Sequence, residues 1–156
     1  MKATWMTLGV LWLVLCGAVV AATPTDFSGT WIFSPGRSQN IGMMASLQYT
    51  SIATQTDKLL VTHDLTVFDG KEQSRDTRYD LSGAEVPNES SRGEPSRTVT
   101  HWEGSQLVTQ WTSAGAIAGT TVVRMETRSL ASDRKTMSVQ FTRTGNPPLV
   151  LVFERK

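Results

Sequence analysis

The chain holds a single cysteine, Cys16, and only two histidines, His63 and His101. A disulfide needs two thiols, so none closes within this chain and its stability must come from packing. A metal centre needs three or four converging ligands. The two histidines fall on different predicted strands, with Asp64 beside the first, so neither a metal nor any other cofactor is expected. Charge of neither sign prevails, with 15 basic against 14 acidic residues. That balance supplies no attraction for nucleic acid or an anionic membrane. There is no Gly-x-Ser-x-Gly elbow to expose a nucleophile, no glycine loop leading into a helix to cradle phosphate, and no fixed-period repeat. The carboxylate pairs Asp76 with Asp80 and Glu85 with Glu89 fall at strand ends, a solvated setting rather than an acid–base site. No catalytic residue is assigned, and the chain reads as a non-enzyme.

What is present begins with Lys2, an apolar run from Trp5 to Leu15, and small residues ending in Val20-Ala21-Ala22. This is the layout of a secretory signal cut after Ala22. It divides the chain into a signal at 1–22 and a domain at 23–156 that is periplasmic or secreted. An uncleaved anchor is the rival reading, because the apolar character lasts to Ala22 and a membrane helix needs about 17–25 such residues. Against it stand Gly9 and Gly17 inside the run and the lack of a cationic cluster after it. Lipid attachment at Cys16 is opposed by Leu15, which stands where a lipoprotein signal has a small residue. Cleavage removes Lys2 and Cys16, leaving 14 basic and 14 acidic residues in a domain with no thiol and no membrane span. Its length suits one hydrophobic core, and a monomer is expected.

From Phe27 onward, short alternating runs rich in Thr, Val, Trp, Tyr and Phe are broken by Gly, Asp, Asn and Pro, which predicts strands and hairpins. The first strand is Thr30 to Ser34, followed by an irregular segment to Met44 with room for a helical turn or two. The second, Leu47 to Gln55, places Leu47, Tyr49, Ser51 and Ala53 on one face. Asp69-Gly70 is a hairpin signal, because both central positions of that turn take positive φ. The stretch from Pro87 to Pro95 reads as an irregular connection or weak edge strand, and Ser96 to Trp102 pairs with Gln106 to Ser113 about Glu103-Gly104. Further on, alternation puts Val123, Met125 and Thr127 on the apolar phase, with Arg124, Glu126 and Arg128 outside. Met137, Val139 and Phe141 form the next apolar set, and Leu149 to Phe153 is apolar on both faces. Nine or ten strands without crossover helices indicate an antiparallel barrel or sandwich.

Asp26-Phe27-Ser28-Gly29-Thr30-Trp31 resembles the Gly-x-Trp signature of the lipocalin and fatty-acid-binding superfamily, the calycins, and Leu151-Val152-Phe153-Glu154-Arg155 is similar to the last strand of its fatty-acid-binding branch. Trp102-Glu103-Gly104 and Asp133-Arg134-Lys135 also look like turns of small exported bacterial lipocalin-like proteins. The resemblance implies an all-β, up-and-down antiparallel barrel of about 8–10 strands, with Gly29 and Trp31 structural and Trp31 plugging one end. Arg155 is placed to cover that ring, a cation–π contact of about 0.5–2 kcal/mol.

The apolar phase, with Tyr49, Trp111, Met125, Met137, Phe141 and Phe153, is either a filled core or the wall of a cavity. As a wall, Tyr49, Trp111, Met125, Phe141 and Phe153 are the candidate ligand-binding residues, and the function is binding or carriage of a small hydrophobic ligand. As a filled core, the barrel serves instead as a protein–protein interaction module of the cell envelope. The fatty-acid-binding branch holds a carboxylate with Arg and Tyr two apart on its last strand, where Leu151 and Phe153 stand here. Neutral ligands are therefore expected to bind at least as well as fatty acids.

Overall fold

The computed structural model describes residues 24–90 and 92–156. The proposed signal at 1–22, with Cys16, lies outside the described residues. Ten strands make up the domain: β1 (Gly29–Phe33), β2 (Gln48–Gln55), β3 (Leu59–Phe68), β4 (Lys71–Asp80), β5 (Val86–Glu89), β6 (Pro95–Glu103), β7 (Gln106–Ala114), β8 (Thr121–Leu130), β9 (Thr136–Thr142) and β10 (Leu149–Arg155). All pairings are antiparallel, in the order β4-β3-β2-β1-β10-β9-β8-β7-β6-β5, so neighbours in sequence are neighbours in space except where β1 meets β10. The fold is the up-and-down barrel read from the sequence. Between β1 and β2 the irregular segment holds two short 3₁₀ turns, Pro35–Arg37 and Gly42–Ser46. At the β3–β4 hairpin, Asp69 and Gly70 take φ of 49° and 70°, as a two-residue turn of matching twist requires.

The barrel is nearly closed. Its two ladder ends, β4 and β5, are joined by a side chain in place of strand pairing. The Asn88 carboxamide accepts the Arg78 backbone N–H at 3.0 Å and donates to the Arg78 carbonyl at 2.8 Å. The same amide donates to Thr98 Oγ1 at 2.7 Å, which fixes its orientation.

One end of the barrel is plugged. Phe27, Trp31, Leu60, Leu107, Met137 and Phe153 are fully buried there and in the layer above. Trp31 Nε1 donates to the Phe27 carbonyl at 2.8 Å, so the one polar atom of the buried indole is satisfied. Arg155 lies over the indole ring, its guanidinium carbon 4.3 Å from the centroid, and donates to the Ser28 carbonyl at 2.6 Å. Gly29 makes this stacking possible. Its φ is +135°, and a Cβ there would stand 2.6 Å from Arg155 Nη1. The segment leading into β1 crosses the barrel end, held by Gln55, whose amide oxygen accepts the Phe27 N–H at 3.0 Å while its nitrogen donates to the Thr25 carbonyl at 2.8 Å.

Candidate functional site

Above the plug the interior is open. A cavity of about 300 Å³ lies between the buried end and a rim formed by Met44 and the loop joining β9 to β10. That is the lower edge of the range for small-molecule pockets, about 300–1,000 Å³. Strict alternation along each strand decides its wall, since every second side chain points inward.

One arc is apolar. Strands β9 and β10 contribute Met137, Val139, Phe141, Leu149, Leu151 and Phe153. Tyr49 of β2 closes against them, its ring edge-on to Phe153 at 5.0 Å between centroids, and Phe33 of β1 lies 5.6 Å from the same phenylalanine. Leu151 and Phe153, the two positions where a last-strand carboxylate clamp would stand, are part of this apolar surface.

The other arc is polar, and the sequence reading placed it outside. Strand β8 runs in the phase opposite to that expected: Glu126 and Arg128 are buried, and Arg124, Glu126 and Arg128 line the cavity. Met125, expected on the wall, faces away from it. The cause is register. Trp111 of β7 points inward and pairs across the ladder with Arg124, whereas Met125 pairs with the exposed Gln110. Directly paired residues share a face, so the inward Trp111 brings Arg124 inward with it. Of the five proposed ligand-binding residues, Tyr49, Trp111, Phe141 and Phe153 surround one space and Met125 does not.

Burial of charge is tolerated here because each group has partners. The Glu126 carboxylate accepts from Trp111 Nε1 at 2.8 Å, from Arg128 Nη2 at 2.9 Å and from the Tyr79 hydroxyl at 3.3 Å. Arg128 Nη2 also donates to the Tyr79 oxygen at 3.1 Å, and its guanidinium carbon sits 5.1 Å from the Tyr79 ring centroid. Burial, and then the Glu126 carboxylate, push the Tyr79 hydroxyl well above the ordinary tyrosine value, so it stays a donor. Burial alone would weaken the Arg128 cation; the Tyr79 oxygen and the Glu126 carboxylate outweigh it and hold its proton above the usual arginine range. A second cluster on β2, β3 and β4 has Ser51 Oγ donating to Asp64 at 2.6 Å and Arg75 facing the other Asp64 oxygen at 3.5 Å.

Arg124 differs from these. Its guanidinium carbon stands 5.9 Å from the Trp111 ring centroid, and among the described residues it enters no ion pair. Burial, the largest cause, brings its pKa below the usual arginine value; Glu126 works against that shift, and the charges of Arg75, Arg143 and Arg92 add to it. Arg124 lies nearer the loop end of β8 than Glu126 and Arg128, so a cation without a carboxylate partner faces the upper cavity. The expectation that neutral ligands bind at least as well as fatty acids assumes Arg124 on the outer face and does not reckon with this cation.

Sequence reasoning missed the polar wall residues Asp64, Arg75, Tyr79, Arg124, Glu126 and Arg128. A usable signal was present in Glu126 and Arg128, opposite charges two apart on one strand, which therefore share a face. The histidines lie elsewhere: His63 meets Asp76 and His101 meets Glu103, both pairs solvent-exposed. Among the described residues no cluster of three or more His, Cys, Asp or Glu side chains is placed to hold a metal ion. No helix among them is long and apolar enough to cross a membrane.

No protein-family model matches the sequence, and no curated protein is similar to it. Solved structures share the fold. A "REP1-NXSQ fatty acid transporter" is similar over 83% of this chain and 95% of its own, with 14% identity and a TM-score of 0.64. The wild-type fluorescent protein UnaG is similar over 83% of this chain and 97% of its own, with 17% identity and a TM-score of 0.67. Human cRBP IV is similar over 85% and 100%, with 15% identity and a TM-score of 0.62. At such identities the likeness is one of architecture, the antiparallel up-and-down β-barrel.

Proposed function

We propose that the barrel binds a small amphipathic molecule and does not transform it chemically. The observation that carries this reading is the cavity of about 300 Å³ with an apolar arc on β9 and β10 facing polar side chains from β8 and from β2 to β4. Glu126, Arg128, Tyr79 and Trp111 are hydrogen-bonded to one another and Arg75 is paired with Asp64, although the Nε atoms of Arg75 and Arg128 have no partner; Arg124 enters no ion pair among the described residues. An apolar body against Val139 and Phe141 with an acidic group at Arg124 answers both surfaces. One structure of the same fold is named a fatty acid transporter, which supports the reading. The open interior disfavours a filled barrel serving as an interaction module.

The test is titration with an environment-sensitive apolar dye, followed by competition between a fatty acid and the alcohol of equal chain length. Dye should enter the native protein, Val139→Trp should exclude it, and Met125→Trp on the outer face should not. The acid should displace dye at least tenfold more effectively than the alcohol, about 1.4 kcal/mol. Equal competition would remove Arg124 from the site.

This binding is placed outside the cytoplasm, in the periplasm or the medium, with the domain acting as a monomer from Thr23 onward. Lys2, the apolar run and Val20-Ala21-Ala22 support that placement. N-terminal sequencing of protein recovered outside the cytoplasm should begin at Thr23, and a sequence beginning at Met1 or Cys16 would overturn it.

A further inference from the structure

The mouth of the barrel carries more positive charge than the cavity needs. A groove of about 530 Å³ runs along the β5–β6 and β7–β8 loops and shares Arg124 and Arg143 with the cavity beneath. Arg92 lines it from the β5–β6 connection. Inside the cavity the charges are matched, Arg128 by Glu126 and Arg75 by Asp64. At the mouth, Arg92, Arg124 and Arg143 face one carboxylate, Glu94, and none of the four enters an ion pair among the described residues. The excess is two positive charges in one groove, while the whole chain has a net charge of only +1. Arg124 is part-buried, so water screens its charge less than those of the exposed Arg92 and Arg143 beside it.

From the three convergent arginines, the shared groove and this uncompensated charge, we infer that the mouth is a subsite for a dianionic headgroup of the phosphate monoester class. This rests on the proposed binding of an amphipathic molecule and names its head. A phosphate monoester carries about −1.5 to −2 charges near pH 7, enough to neutralise the excess. A carboxylate, with one charge, leaves a cation unmatched. Guanidinium groups suit the task, since their planar forks pair with phosphate oxygens two at a time. With Arg124 shared by both spaces, the head sits in the groove while the tail passes down along Phe141 and Val139.

The experiment is dye displacement by an alkyl alcohol, carboxylate and phosphate of one chain length, with inorganic phosphate as a separate arm. The alkyl phosphate should compete at least tenfold better than the carboxylate at low ionic strength, with the advantage shrinking as salt is added. Arg92→Gln and Arg143→Gln should each bring the phosphate-to-carboxylate ratio to within about twofold. Arg97→Gln, at an outer-face arginine paired with Glu85, should leave that ratio as it is. Inorganic phosphate should compete only at millimolar concentration; parity with the alkyl phosphate would overturn the joint head-and-tail placement. Equal affinity for phosphate and carboxylate would overturn the dianion subsite alone. Failure of all three alkyl compounds to displace the dye would overturn the underlying binding reading.

Discussion

Replacing Glu126 with Gln keeps the shape of the side chain and removes one charge from the most buried polar cluster in the barrel. Glu126 is 2% exposed and Arg128 5%. The substitution leaves the Arg128 cation without its counterion: in the parent, the Tyr79 oxygen and the Glu126 carboxylate outweigh burial and hold its proton above the usual arginine range, and the variant loses the Glu126 share of that support. In the parent, the stability linked to that raised value is present throughout the ordinary pH range and is lost only as pH rises through it. Breaking a buried pair by removing one partner destabilises by about 3–5 kcal/mol. With a urea m-value of about 1–3 kcal/mol/M for a domain of this size, the unfolding midpoint should fall by at least about 1 M. Tryptophan fluorescence reads the transition directly, since Trp111 donates to the mutated group. The double variant Glu126→Gln with Arg128→Met should be more stable than Glu126→Gln alone, because it removes the stranded charge while the amide oxygen still accepts from Trp111. A Glu126→Gln midpoint within error of the parent, or a double variant worse than the sum of the singles, would refute the inward phase assigned to β8.

Three further outcomes are expected. Trp31→Ala should destabilise by about 3–5 kcal/mol, the range for truncating a large buried aromatic, measured as a drop in midpoint under the same urea series. Gly29→Ala should lose about 1–3 kcal/mol, because its +135° φ is strained for any other residue and the new methyl meets Arg155; crystallography of the variant should show that guanidinium displaced from the Trp31 ring. Asn88→Ala should cost about 1 kcal/mol per hydrogen bond lost, and amide exchange at Arg78 should rise sharply while exchange within the β6–β7 hairpin stays slow.

The barrel itself was legible because local chemistry decides it. Asp69-Gly70 and Glu103-Gly104 mark hairpins, and β6 extends one residue at each end, and β7 one residue at its far end, beyond the ranges read from alternation. The interior was harder to read because hydrophobicity was used as a proxy for inwardness. In β8 both phases carry substantial side chains, and the apolar one faces out. The decisive fact is the even number of residues, Gly115 to Thr120, between β7 and β8. An even loop pairs odd positions of one strand with even positions of the other, so an inward Trp111 is incompatible with an inward Met125. The Glu126 network was invisible for another reason. Tyr79 lies 47 positions from Glu126 and meets it only because the barrel closes.

The pairing of β1 with β10 also sets a timetable for folding. Ser28 and Arg155, which meet there, are 127 positions apart, and long-range closures of this kind make β-rich topologies fold over milliseconds to seconds. Hairpins from β2 to β4 and from β6 to β10 can assemble early, each from local contacts. Trp31 is sealed only when the last strand arrives to lay Arg155 across it, so seating the indole is the final locking event. A chain threaded through a membrane before it folds, as the proposed export signal requires, is served by this order: the lock does not exist until its far end has emerged.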